Sequence, residues 1–311
     1  MEEGRPLCYM NAVSECGWRE AGQLGKTDMR EHWTLDSIDW SRFDRSKLDP
    51  ALVSLVKAAS LVEYNATDYV EYLRKVFANE PEMMKSLSRW GTEEVQHGEA
   101  LGRWAEMADP TFKFDEAFAR FRKAYRPAHF INADGSVRGS RVGELIARCV
   151  VECGTSSAYV ALRDASDEPV LKQVAGLIAA DEFAHYRLFY DLMGVQSEQK
   201  PGFWKRLWIA ATRVSETEDD ELAMAYYCAN VPADREKDIP YDRNACNQAY
   251  QSAMFRLYKP LHIERAVAMT GKAIGVHPES NVLKFIGRAL WQFVRFRVWR
   301  MGPPVRTMAP A

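Results

Sequence analysis

The sequence predicts an all-α protein centred on a four-helix bundle. Three observations predict it. Long stretches carry apolar residues at helical spacing, with little of the alternation a strand requires. Two Glu-x-x-His motifs, Glu94 with His97 and Glu182 with His185, lie inside such stretches. Each motif follows a lone glutamate in another apolar stretch, Glu63 standing 31 residues before Glu94 and Glu152 standing 30 before Glu182.

Residues three apart share a helix face, so each motif directs a carboxylate and an imidazole at one point. A two-metal site in a helix bundle takes two such motifs and one glutamate from each of two further helices. A spacing of 30 or 31 residues fits an antiparallel hairpin whose ligands lie about 20 Å from the turn. The 58 residues from Glu94 to Glu152 exceed a simple turn and suit the long crossover of a ferritin-like fold. The candidate metal ligands are therefore Glu63, Glu94, His97, Glu152, Glu182 and His185. A single Glu-x-x-His is more often a solvated helix face. Two of them in register with upstream glutamates read as ligands.

In chain order, residues 1–47 contain Gly4, Pro6, Gly17, Gly22 and Gly25 with little periodicity, which predicts an irregular arm over the bundle surface. The bundle domain spans 48–195. Asp49 and Pro50 supply the N-cap and first position of its first helix, which should stop near Asn79. Pro81 opens the second helix, which runs to Ala108 before Asp109-Pro110. A short helix from Asp115 to Tyr125 and a loop from Pro127 to Gly139 fill the crossover. Ser140 caps the third helix, and Asp167-Glu168-Pro169 separates it from a fourth that ends at Gly194. Residues 196–311 should add helices near 203–230, 243–275 and 281–300, packed on the bundle and not needed for the site.

With 311 residues, 47% hydrophobic content and a formal charge of −2, the chain is a globular protein with no electrostatic footprint for nucleic acid. Met1-Glu2-Glu3 opens no signal sequence, and charges interrupt the apolar stretches before a bilayer could be spanned, so a cytoplasmic location is expected, with no transmembrane segment. Six cysteines without a C-x-x-C pair read as free thiols. Cys149 and Cys153, beside Glu152, read as small core residues.

Ligating imidazoles usually donate their second N–H to a carboxylate. Asp181 and Glu93, each just before a motif glutamate, are the candidates, with Asp181 reaching across to His97. Glu93 reads more readily as an exposed acid than Asp181 does. His129, His262 and His277 lack partner motifs and read as structural. Four carboxylates with two imidazoles suit iron, cycling between Fe2+ and Fe3+, and manganese suits the same donors.

Trp90 to Leu101 (W-x-x-E-E-x-x-H-G-E-x-L) and Ala180 to His185 (A-D-E-x-x-H) resemble the signatures of soluble acyl-carrier-protein desaturases, di-iron enzymes of plants and bacteria. Glu63-x-Asn65 with Tyr69 is similar to the first-helix pattern of the bacterial members, although a proline common there is missing. In that family a threonine follows the third-helix glutamate by three, as Thr155 follows Glu152. The likeness covers roughly 50–195. It implies a di-iron, O2-dependent oxidoreductase that removes hydrogens from an acyl chain, with Thr155 as a catalytic residue handling protons or dioxygen. A helix-carbonyl back-bond is the plain alternative for that hydroxyl. It also implies an acyl-carrier protein as substrate carrier and an external donor such as ferredoxin, no G-x-G-x-x-G fingerprint being present; a homodimer is a separate expectation.

Other di-iron families fit less well. Leu101 stands where ribonucleotide reductase small subunits place a radical tyrosine, and Ile178 where arylamine N-oxygenases place an extra histidine. Ala66 and Ala147 occupy the positions of the valine–tyrosine cross-link of ligand-binding oxidases. A di-iron hydroxylase or oxidase of another small molecule, and a ferroxidase or iron-storage protein, remain the alternatives.

From Ser280 onward no acidic residue occurs, while Lys284, Arg288, Arg295, Arg297, Arg300 and Arg306 alternate with aromatic residues. The segment reads as a packed helix with snorkelling arginines, as a dock for an acidic carrier, or as an interfacial helix on anionic lipid.

Overall fold

The computed structural model describes residues 32–125, 135–215 and 220–301. The arm before residue 32, the crossover loop over 126–134 with His129, and Cys8, Cys16 and Arg306 lie outside the described residues. Among the described residues every regular element is helical, and the fold is an all-α bundle.

Asp49 accepts a hydrogen bond from Ala51 N (2.8 Å) and caps α1 (Pro50–Tyr64), with Pro50 in the first turn as expected. The expected single helix to Asn79 is instead two. α1 ends at Asn65, and α2 (Ala66–Val76) follows. Asn65 turns its N–H back to Val62 O, three residues earlier, at 3.1 Å. Its side chain donates to Glu221 Oε1 (3.0 Å) and accepts from Arg122 (2.6 Å), so partners from two other helices hold the break.

α3 (Pro81–Ala108) has the predicted limits. A Cβ on Gly98 would stand 2.6 Å from the Tyr64 backbone nitrogen, so glycine here sets how closely α3 approaches α1. α4 (Phe114–Ala124) lies in the crossover. Ser140 caps α5 (Arg141–Ala165) by accepting from Gly143 N (3.0 Å). Glu168 caps α6 (Pro169–Val195) by accepting from Leu171 N (2.7 Å). α1 packs on α3 and α5 on α6 as two hairpins, and α3 meets α6 between them. The core joins Leu61 and Trp104 of the first hairpin to Leu171, Val174 and Ile178 of the second and to Phe121 of α4.

The part of the arm that is described has a definite seat. After Trp33 it forms three short 3-10 turns between Leu35 and Lys47. The Asp44 N–H donates to buried Glu168 (3.0 Å), which also accepts from the Trp104 indole (2.7 Å). Arg45 donates to the last carbonyls of α3, Met107 O at 2.6 Å and Ala108 O at 3.1 Å.

Beyond the bundle lie α7 (Phe203–Ser215), α8 (Asp220–Asn230), α9 (Arg243–Leu257), α10 (Pro260–Ala273) and α11 (Asn281–Arg300). The expected 203–230 segment is thus two helices, one on each side of residues 216–219. The 243–275 segment is also two, because Pro260 lacks an N–H and forces Lys259 into an extended conformation. α7 packs on α5, α8 on α1, α10 on α5, and α11 on α10. Among the described residues one helix, Arg141–Ala165, is apolar and long enough to cross a membrane, and 78% of its apolar window is buried inside the bundle.

Candidate metal centre

The two hairpins bring all six predicted ligands together. Glu63, Glu94, His97, Glu152, Glu182 and His185 are all buried. One donor atom from each of Glu63, Glu94, His97 and Glu182 falls within 4.8 Å of the others, and the same holds for Glu94, Glu152, Glu182 and His185. Glu94 and Glu182 belong to both groups, so the two candidate positions share them. The imidazole rings stand 5.8 Å apart.

Each imidazole presents Nδ1 to the carboxylates. His97 Nδ1 lies 3.3 Å from Glu182 and 3.7 Å from Glu63. His185 Nδ1 lies 3.1 Å from Glu94 and 3.7 Å from Glu152. The Nε2 atoms face outward onto the other hairpin, His97 to Asp181 at 3.0 Å and His185 to Glu93 at 2.8 Å. Both expected outer carboxylates are in place, Glu93 included. Glu93 is only partly exposed, and it also accepts from Arg89 Nε at 2.7 Å.

The electrostatics of this cluster are those of buried acids and imidazoles packed against one another. Burial, then repulsion from Glu182 and Glu63, pushes Glu94 up to about 8. Burial pushes Glu182 up to about 8 as well, with Glu152 and Glu63 adding to it and the His97 hydrogen bond opposing. Burial would also raise Glu63, but hydrogen bonding and charge from His97 outweigh it and hold this carboxyl below its ordinary value. Burial disfavours both imidazolium ions. Contacts with Asp181, Glu182 and Glu63 nevertheless hold His97 well above its usual range, and Glu152, Glu93 and Glu94 do the same for His185.

The donor set fits a metal. His97 Nδ1, His185 Nδ1, Glu152 Oε1 and Glu182 Oε1 are buried and make no hydrogen bond of ordinary geometry, although carboxylates lie 3.1 to 3.7 Å from the two imidazole nitrogens. Buried polar atoms with poor hydrogen-bond geometry are costly, so four of them around one cluster leave capacity for a shared ligand. These buried Glu and His groups could hold a metal ion.

Thr155 reaches the cluster. Its Oγ1 lies 2.5 Å from Glu182 Oε2 and 3.3 Å from the carbonyls of Val151 and Glu152. The carboxylate is the stronger acceptor, so the back-bond is the secondary contact. Cys149 and Cys153 are buried free thiols facing elsewhere, Cys153 toward Ala266 O at 3.0 Å, and burial pushes Cys153 up to about 11. His262 pairs with Asp164 (3.1 Å), and His277 accepts from Glu279 N (3.2 Å), so both serve local structure.

Sequence reasoning missed two participants, Tyr159 and Trp33, and two buried charges near the centre, Arg148 and Glu221. Tyr159 donates to Glu63 Oε1 at 2.5 Å. It sits seven residues after Glu152 on the same face of α5, a spacing that could have revealed it. Trp33 donates its indole N–H to Asp181 Oδ2 (2.7 Å) and stacks on His97 with ring centroids 6.0 Å apart. No pattern in the arm signals that role. Arg148, one turn before Glu152, is buried beside the Tyr69 ring at 5.4 Å and the Trp90 ring at 5.8 Å. Glu221 of α8 accepts from Asn65 and, at 2.5 Å, from Tyr69, so two of the three residues of the first-helix pattern meet at the helix break.

A scan of the chain against protein-family models and a search of curated proteins find no match.

Proposed function

We propose that the chain is a di-iron, O2-dependent oxidoreductase that removes hydrogens from, or otherwise oxidises, an acyl chain. The observation that carries this reading is the pair of overlapping donor groups, in which buried Nδ1 atoms and carboxylate oxygens converge around shared Glu94 and Glu182. Glu63, His97, Glu94 and Glu182 would hold one metal, and Glu152, His185, Glu94 and Glu182 the other. Iron in such a donor set supplies dioxygen reduction and the oxidising power to break an unactivated C–H bond, and manganese suits the same donors.

The chain's own residues have defined tasks in this reading. Asp181 and Glu93 fix the imidazole tautomer by accepting from Nε2, leaving Nδ1 as the donor to metal. Thr155 keeps a proton at Glu182 Oε2, a hydroxyl placed to give or take a proton at a shared ligand. Trp33 lies parallel to the His97 ring and holds Asp181 through its indole N–H. Electrons come from an external donor of the ferredoxin type. The resemblance of the Glu-x-x-His segments to acyl-carrier-protein desaturases supports an acyl substrate.

The deciding experiment measures iron and O2 together. Two irons per chain are expected, and a His97→Ala, His185→Ala double variant should lose them. O2 consumption by the reduced protein should accelerate with an acyl substrate, offered both as a carrier-protein thioester and free, and yield an oxidised acyl product by mass spectrometry. Full iron loading in the double variant would refute the site. Mineralisation of many irons per chain without organic product would replace the reading with iron storage.

A further inference from the structure

Among the described residues, fifteen large apolar side chains stand well exposed, and twelve of them belong to α7 and α11. Such concentration is unusual, since exposed apolar residues on a soluble surface are normally scattered singly. α11 buries only Leu283, Gly287 and Val294, the stripe that packs on α10. A second stripe at helical spacing, Val282, Phe285, Ile286, Phe293 and Phe296, faces outward, Phe285 being 72% exposed. Trp299 near its end is 77% exposed. A third stripe, Lys284, Arg288 and Arg295, runs along the outer face as well. Of these cations Lys284 meets Glu279 just before the helix (3.0 Å), but no acidic residue occurs on α11 itself.

α7 repeats the composition. Trp204 and Trp208 are 78% and 69% exposed, Lys205 is exposed between them, and no acidic residue occurs from Gln199 to Ser215. Arg206 of α7 lies against Gly275, in the turn that leads into α11. The φ of +91° at Gly275 favours glycine there.

We propose that α11, with α7 joined to it at the Gly275 turn, docks the protein on an anionic lipid surface. A lipid interface engages both exposed stripes. Phe and Trp enter the boundary between headgroups and acyl chains, and the cations meet headgroup phosphates. A second copy of the chain would set the cations of α11 against themselves across a two-fold axis. An acidic protein would answer the cations and leave the aromatic stripe without a matching environment.

Flotation of the purified full chain with vesicles tests this, using phosphatidylcholine mixed with phosphatidylglycerol and phosphatidylcholine alone. Binding to the mixed vesicles is expected, weakening as salt rises, with a blue shift of tryptophan emission. An Arg288→Gln, Arg295→Gln, Arg300→Gln variant should bind them on the order of tenfold more weakly. A Phe293→Ser, Phe296→Ser, Trp299→Ser variant should lose binding. All six side chains are exposed, so helicity and iron content should match the wild type in both variants. The proposal falls if the wild type ignores mixed vesicles or if both variants float unchanged. It also falls if light scattering finds a dimer that the aromatic variant splits while no vesicle binds. Capture of an acidic acyl-carrier protein through the same cations, without flotation, would overturn it too.

Discussion

Trp33 and His97 meet one oxygen atom, the indole N–H of Trp33 lying 2.7 Å and His97 Nε2 3.0 Å from Asp181 Oδ2. The indole therefore orients the carboxylate that orients the imidazole. Trp33→Phe keeps a ring over His97 and removes the donor. Metal affinity in a chelator competition should fall about tenfold, within the range of such outer hydrogen-bond losses, and Asp181→Asn should cost at least as much. Unchanged affinity in Trp33→Phe would reduce the indole to a cover.

Tyr159→Phe deletes one hydroxyl in a buried place and leaves Glu63 Oε1 without that donor. Loss of a partner from a buried charged acceptor costs roughly 1–3 kcal/mol. Chemical denaturation should show a loss of that size, with the helical signal unchanged before the transition.

Gly98 and Gly154 should respond oppositely to alanine. A Cβ on Gly98 would overlap the Tyr64 backbone at 2.6 to 2.7 Å, whereas one on Gly154 meets nothing within 4 Å. Gly98→Ala must push α1 from α3, costing about 1–3 kcal/mol and lowering metal content because Glu63 moves with α1. Gly154→Ala should raise stability by about 0.5–1 kcal/mol, since glycine inside a helix carries the larger entropy loss. Paired thermal melts and metal analysis check both.

Glu94 and Glu182 rise in the folded, metal-free protein from the ordinary 4.5 up to about 8. Between those values the folded state binds more protons than the unfolded one. Their contribution is fully present below about pH 4.5, declines as pH rises and is lost through about 8. His97 and His185, held above their usual 6.5, act in the same direction. Glu63 and Glu93, held below 4.5, act oppositely and only at lower pH. The metal-free Tm should therefore fall from about pH 5 to 8, while iron(II) affinity rises as protons leave the ligands. Calorimetry on wild type and on Glu94→Gln, Glu182→Gln checks this, and the variant should flatten the slope.

The six candidate ligands were legible because helix geometry converts sequence spacing into spatial convergence. Glu63 to Glu94 and Glu152 to Glu182 each close one hairpin, and α3 matches its predicted limits at Pro81 and Ala108. Asp181 was legible for the same reason, through the near-symmetry of the two motifs. The break at Asn65 was not, because it depends on Glu221 and Arg122, 156 and 57 residues away. Trp33 could not be read from a stretch without periodicity, since its role comes from tertiary contact alone. The outward stripe of α11 has the same periodicity as a buried one, and only the packing of Leu283, Gly287 and Val294 on α10 distinguishes them.

Each histidine finds its outer acid on the opposite hairpin, His97 at Asp181 and His185 at Glu93. Neither half of the bundle is thus a self-sufficient unit. A chain cleaved in the crossover would give two fragments, each with an imidazole that lacks its orienting acid. Full coordination would return only by reassembly of the two pieces, so capture of metal would report that the halves had found each other.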